Sequence, residues 1–283
     1  HNALVGGRMK RKFLSAAAAC AVVSLASPVY AGSVLPPGIT VGLPVGAPLP
    51  EGIYFIDTAG FGHRTDKVGD NGINLPVFAW ATPISFYNTR LQFIFAQPFG
   101  WTTGTPKNVV YANSTLFAGQ LAHDFGNGFG ASYLAGYRAA MPYVAAFTQD
   151  SFEQRAAVSF TGGGYDLTAN LANGIFGENA RYPDWLNLDL TATKKFGKFE
   201  VGLIAYGSTD ISSPTSAYRR QGQFAVGALG GYDFGPFKVQ VYASRDVAER
   251  NYGGYDTRGW FRLILPLYKA PQVANAAPLQ ARD

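Results

Sequence analysis

The chain has one cysteine, Cys20, three histidines and only 14% charged residues, far fewer charges than a typical soluble domain of this size. After residue 31 the cysteine is gone and the histidines are His63 and His123. A disulfide framework and a cysteine-based metal site are thereby excluded from that region, and an imidazole-rich metal centre lacks ligands. No apolar run after residue 31 is long and pure enough to cross a bilayer as a helix. Amphipathic helical periodicity is nearly absent as well. What remains is rich in Gly, Tyr and Phe.

The first 31 residues read as processing signals. Met9 is followed by Lys10, Arg11 and Lys12, an apolar run from Phe13 to Ala26, and Pro28-Val29-Tyr30-Ala31. A basic head, a short apolar core and a small-x-small ending form a secretory leader, so residues 9–31 are expected to be a cleaved signal peptide and 1–8 an upstream extension from a mis-set start, outside the fold. Ala17 stands where a lipoprotein leader usually has Leu, which disfavours lipidation of Cys20. The leader region holds four of the basic side chains and no acid, leaving 19 Lys/Arg against 18 Asp/Glu. The high overall pI is therefore no argument for a nucleic-acid partner.

Residues 32–52 are rich in Pro and Gly and unsuited to a helix or a central strand; a periplasmic lead-in is expected there, with the lumen as a second place for it. From residue 53 onward, segments alternate with period two. Leu186, Leu188, Leu190 and Ala192 share one face of a strand, and Asn187, Asp189, Thr191 and Thr193 share the other. The same dyad runs through 152–161, 165–172, 199–206 and 237–244. Tight turns at 86–89, 124–128, 162–164, 195–198 and 233–236 alternate with longer polar stretches at 61–72, 99–108, 142–151, 176–184, 208–220 and 246–257. Five short turns and six long loops join twelve strands, with both chain ends on the short-turn side.

Such sorting of connections by length belongs to bacterial outer-membrane barrels. The expected fold is all-β: a twelve-stranded antiparallel transmembrane β-barrel over 53–268, with short periplasmic turns, longer outer loops and a Pro/Ala-rich tail at 269–283. The segments 73–82, 111–123 and 221–231 alternate poorly. Strands about 4.8 Å apart and tilted about 40° give a twelve-stranded barrel a backbone radius of about 12 Å, hence a narrow or plugged lumen. The candidate lumen-lining groups are Glu153, Arg155, Asp166, Asp189, Glu200, Lys238 and Arg262. Their mixed signs argue against a ring selective for one sign of ion. Trp185 and Trp260, near the loop-side ends of their strands, are expected in the interfacial aromatic girdles.

Leu43-Pro44-Val45-Gly46-Ala47-Pro48-Leu49-Pro50-Glu51-Gly52 followed by Tyr54-Phe55-Ile56-Asp57-Thr58, together with Asn74-Leu75-Pro76-Val77 and Asp124-Phe125-Gly126-Asn127-Gly128-Phe129-Gly130, resembles the transporter-like outer-membrane proteins grouped under the MetA pathway of phenol degradation. The resemblance covers most of the chain after the leader. It implies a passive channel or transporter for small hydrophobic or aromatic compounds, and it brings no catalytic motif and no cofactor.

Two other functional classes share this architecture. An outer-membrane lipid-modifying enzyme needs a serine, a histidine and an orienting partner at one place. His63, expected in the first long loop, and His123, at a tight turn, fall at opposite barrel ends. A structural or adhesive barrel would bind through its loops, which are short and carry no repeat. The expected partners are outer-membrane lipid, a small hydrophobic or aromatic solute and the barrel-assembly machinery.

Overall fold

The computed structural model describes residues 34–104, 108–140, 148–177 and 180–271. The expected upstream extension and leader, most of the tail and most of the 142–151 loop lie outside the described residues. The rest forms one closed antiparallel barrel. Its strands are β1 (Gly52–Arg64), β2 (Asp70–Phe86), β3 (Thr89–Ala96), β4 (Phe99–Thr102), β5 (Val109–Ala112), β6 (Thr115–Gly126), β7 (Phe129–Ala139), β8 (Ser151–Phe160), β9 (Tyr165–Ile175), β10 (Trp185–Phe196), β11 (Phe199–Asp210), β12 (Gly222–Asp233), β13 (Lys238–Arg250) and β14 (Asp256–Lys269). β1 pairs with both β2 and β14, which closes the ladder into a barrel.

Fourteen segments make twelve staves. β3 and β4 pair with successive stretches of β2, and β5 and β6 pair with β4 and β3. Pro98, which has no N–H to give the ladder, breaks the third stave, and its carbonyl accepts from Asn113 at the matching break in the fourth. The twelve-strand expectation holds, and all five tight turns fall where the sequence places them. Five of the six long connections are shorter than expected, because strands run on into 61–64, 70–72, 99–102, 151, 208–210, 246–250 and 256–257. His63 accordingly lies on β1, not in a loop, and contacts Asp70 across the β1–β2 pair at 2.9 Å.

The dyad is turned inside out relative to a soluble barrel. On β10, Asn187, Asp189, Thr191 and Thr193 are buried inside while Leu186, Leu188, Leu190 and Ala192 face out. Outward aromatics pair across staves near the turns, as in Phe129–Phe160 and Phe199–Tyr232, with ring centroids 4.7 and 4.8 Å apart. Phe61 and Trp101 do the same near the loops. A polar inside, an apolar outside and aromatic rims are the arrangement of an outer-membrane barrel.

The girdle expectation for Trp185 and Trp260 is corrected. Trp185 is fully buried and Trp260 nearly so, and both point into the lumen. Parity is the reason: Trp185 is in phase with Asn187 and Asp189, and Trp260 with Arg258 and Arg262. Gly174 and Gly60, opposite them across the ladder, leave room where any Cβ would collide with the indole rings.

The inner wall contains a buried ion-pair chain. Glu153 on β8 accepts from Arg138 on β7 and, at 2.6 Å, from Arg155. Arg138 and Glu153 are wholly enclosed. Glu153→Ala would strand two guanidinium charges, at a cost of about 3–5 kcal/mol. The expected result is a lower urea midpoint for loss of the compact gel band, with Glu153→Gln falling between; an unchanged midpoint for Glu153→Ala would refute this account.

Candidate functional site

Residues 34–50 do not stand outside the barrel; they run through it. Leu35, Ile39 and Val41 are as buried as any wall residue. The segment begins level with the loop-side end of β10, where Asn187 donates to the Leu35 carbonyl, and descends past Asp189 and Thr191. It reaches Ser159 near the turn-side end of β8 and joins β1 there. Three consecutive turns shape it. They are closed by Ile39 N–H to Pro36, Leu43 N–H to Thr40 and Ala47 N–H to Pro44. Gly38 and Gly42 sit at the third position of the first two with φ +85° and +75°, as type II turns require. Both also lie so close to the wall that a Cβ would strike Tyr206 or Leu229.

Stacked turns leave many backbone groups pointing sideways, away from water. The wall's polar side chains take them up. Asp189 accepts from the Gly38 and Thr40 amides at 2.8 and 2.9 Å and from the Thr40 hydroxyl at 2.6 Å. Thr191 and Ser159 accept from Gly42 and Gly46. Arg262 donates to the carbonyls of Ile39, at 2.7 Å, and Val41. Gln240 donates to Gly42, and Tyr242 donates to Gly38.

All seven lumen candidates occupy inward positions, but they fall into two groups. Asp189 and Arg262 hold the inserted segment. Glu153 with Arg155, and Glu200 with Lys238, pair within the wall. Asp166 accepts from Thr168, which meets Ser159 at 2.7 Å. On the loop side, Arg64, Asp246, Asp256 and Arg258 form a further buried network, and the Arg64 guanidinium lies 3.6 Å from the Tyr252 ring centre. Farther out in the 211–221 connection, burial and then the Asp210 carboxylate beside it push the Tyr218 phenol well above its ordinary range; its hydroxyl donates to Asp210 at 2.6 Å.

The opposite side of the inserted segment is different. Here the inward faces of β1 to β3 and of β6 and β7 are mostly apolar, and a cavity of about 220 Å³ separates them from residues 39–49. Leu43, Val45, Ile56, Leu75, Ile94 and Leu134 are among its apolar lining residues. Gln92, Gln120, Ser132, Arg155 and Asn170 supply polar points. Apart from Arg155, these wall residues are not among the sequence's lumen candidates. The signal was the failure of 73–82 to alternate, since Ile73, Leu75, Val77 and Ala79 face in while Phe78 and Trp80 face out. The outer face also carries a polar pair within the Asp57 and Asn74 motifs, where Asn74 Nδ2 donates to Asp57 at 2.8 Å.

Residues 56–263 match the family described as "Putative MetA-pathway of phenol degradation". The chain belongs to this family. No curated protein matches the chain. Among solved structures it is similar to an outer membrane channel from Pseudomonas putida F1, with 13% identity and a TM-score of 0.58, over 78% of this chain and 97% of that one. It is similar in a looser way to the β domain of a Bordetella autotransporter, with 10% identity and a TM-score of 0.45, over 76% of this chain and 99% of that one. At these identities the first likeness establishes the outer-membrane barrel fold alone.

The inserted segment's hold on the wall is testable. Asp189→Ala removes the acceptor shared by Gly38 and Thr40, so the segment should loosen. Planar-bilayer recordings are expected to show higher conductance than the unmutated protein, with Thr191→Val causing a smaller rise. Equal conductance for Asp189→Ala and the unmutated protein would show that the segment stays seated without this carboxylate.

Proposed function

We propose that this barrel is a passive outer-membrane channel for small apolar or aromatic solutes, which move along the apolar side of the lumen past the inserted segment. The observation that carries the reading is the lengthwise division of the interior. One side is filled by polar contacts between wall and insert; the other is a cavity with mainly apolar lining. A channel for hydrated ions would need polar groups along its open path. Here the polar groups are largely consumed in holding the insert, and the open space is apolar. A cavity of this size has room for a single substituted ring; a dry cavity of about 150 Å³ already accepts benzene.

The role is non-catalytic. His63 and His123 both project from the outer face, toward opposite rims, where they hydrogen-bond to Asp70 and Thr89 and His123 packs on Phe125. The apolar outer face fits a bilayer of outer-membrane lipid, entered after leader cleavage and insertion by the barrel-assembly machinery.

The test uses outer-membrane vesicles with lipopolysaccharide in the outer leaflet, which retards apolar solutes. Vesicles containing the protein are expected to take up toluene faster than vesicles without it. Ile94→Trp, which fills the cavity from β3, should bring uptake down to the protein-free rate. Equal uptake with and without the unmutated protein would sink the proposal.

A further inference from the structure

The apolar cavity contains two amide groups whose free atoms are fixed by the bonds their other atoms make. Gln92 on β3 and Gln120 on β6 are directly opposite each other in the ladder, and both point inward. Each uses one end of its amide to hold the inserted segment. Gln92 Oε1 accepts from the Leu49 N–H at 2.9 Å. Gln120 Nε2 donates to the Val45 carbonyl at 3.1 Å. These partners assign the amides chemically, because a backbone N–H needs the oxygen and a backbone carbonyl needs the nitrogen. The ends left over are a donor, Gln92 Nε2, and an acceptor, Gln120 Oε1. Neither has a hydrogen-bond partner among the described residues, and both side chains line the cavity. Gln92 is 1% exposed and Gln120 9%.

We infer that Gln92 and Gln120 together form a hydroxyl-reading site, and that the solute bound in this cavity is a neutral, single-ring compound bearing a hydroxyl. A hydroxyl both donates and accepts. It can donate to Gln120 Oε1 and accept from Gln92 Nε2 at once, while its ring lies against Ile94, Leu75 and Leu134. A hydrocarbon of the same shape leaves both amide ends unmatched. A carboxylate can accept from Gln92 but meets the Gln120 oxygen with like partial charge, and it must shed its hydration to enter an apolar space. Sites built to bond a hydroxyl discriminate against the analogue that lacks it far more strongly than apolar pockets discriminate by size. Leu49 and Val45, the residues that fix the two amides, belong to the inserted segment, so the site exists only while that segment is seated.

This inference rests on the cavity being the solute site proposed above, and the experiment separates the two. Phenol, toluene and benzoate are titrated into the purified full-length barrel in detergent by calorimetry, alongside Gln92→Leu, Gln120→Leu and the double variant. Compact gel migration confirms that each variant is folded. Phenol leaves water less readily than toluene, so a purely apolar cavity would favour toluene. The unmutated protein is expected to bind phenol at least as tightly as toluene and to bind benzoate more weakly than either. The double variant should favour toluene by about tenfold or more, the size of effect expected when a bonded hydroxyl loses its partners. Toluene favoured by that factor in the unmutated protein overturns the hydroxyl-reading site and leaves the apolar cavity standing as a solute site. No binding of phenol or toluene by a folded barrel overturns both.

Discussion

The interior of this barrel is organised by two buried charges that lack a charged partner and are satisfied by backbone. Asp189 on β10 and Arg262 on β14 are nearly or wholly enclosed, and neither forms an ion pair among the described residues. Burying such charges alone would be prohibitive. Amides of the inserted segment surround the carboxylate, and carbonyls of the same segment surround the guanidinium. The dependence runs both ways. A coil of turns has no ladder of its own, and without these side chains its polar groups would be orphaned away from water. Thr58, Gln240 and Tyr242 take the remaining Arg262 donors and hold the guanidinium from the wall side.

That exchange determines where the lumen can be open. Polar wall groups are concentrated on the staves that hold the segment, from β8 round to β14. The staves from β1 to β3 and β6 to β7 make fewer polar contacts with it, and there the space is apolar. The same bonds that occlude the barrel therefore leave an apolar cavity beside the occlusion. Tight association does not make the segment immovable. Water entering a vacated lumen would solvate Asp189 and Arg262 and offset much of the lost bonding. The net cost of displacement is thus far smaller than the sum of its hydrogen bonds.

Much of this was legible in the residues. The alternation of Asn187, Asp189, Thr191 and Thr193 with leucines gave the strand and its faces, and the five Gly- and Asn-bearing turns against six longer connections gave the number of staves. The same parity puts Trp260 inside with Arg262, and phase outweighs its position near a strand end. β12 resisted reading because Gly227, Gly230 and Gly231 carry no side chain to alternate, and because an irregularity opposite Phe224 and Ala225 shifts its register with β13. The lead-in was harder. Pro37-Gly38, Gly42 and Gly46 signal turns four residues apart, but where a chain of turns docks depends on acceptors and donors from staves more than a hundred residues distant.

The three poorly alternating stretches do not share one cause, and the contrast is instructive. In 221–231 the pattern fails for want of side chains. In 73–82 it fails because both faces are apolar, one toward lipid and one toward the cavity, and Thr82-Pro83-Ile84 then bulges the strand against Leu91. The stretch 111–123 combines a break at Asn113 with apolar residues on both faces, Leu116 and Ala118 inside against Phe117 and Leu121 outside. Loss of alternation in a membrane barrel therefore carries information when it is apolar on both sides and recurs on neighbouring staves. It marks the part of the wall that faces neither water nor a polar insert. In this chain that part of the wall surrounds Gln92 and Gln120, whose polarity stands out against Leu75, Ala79, Ile94, Ala96, Ala118 and Leu134 on the same inner surface.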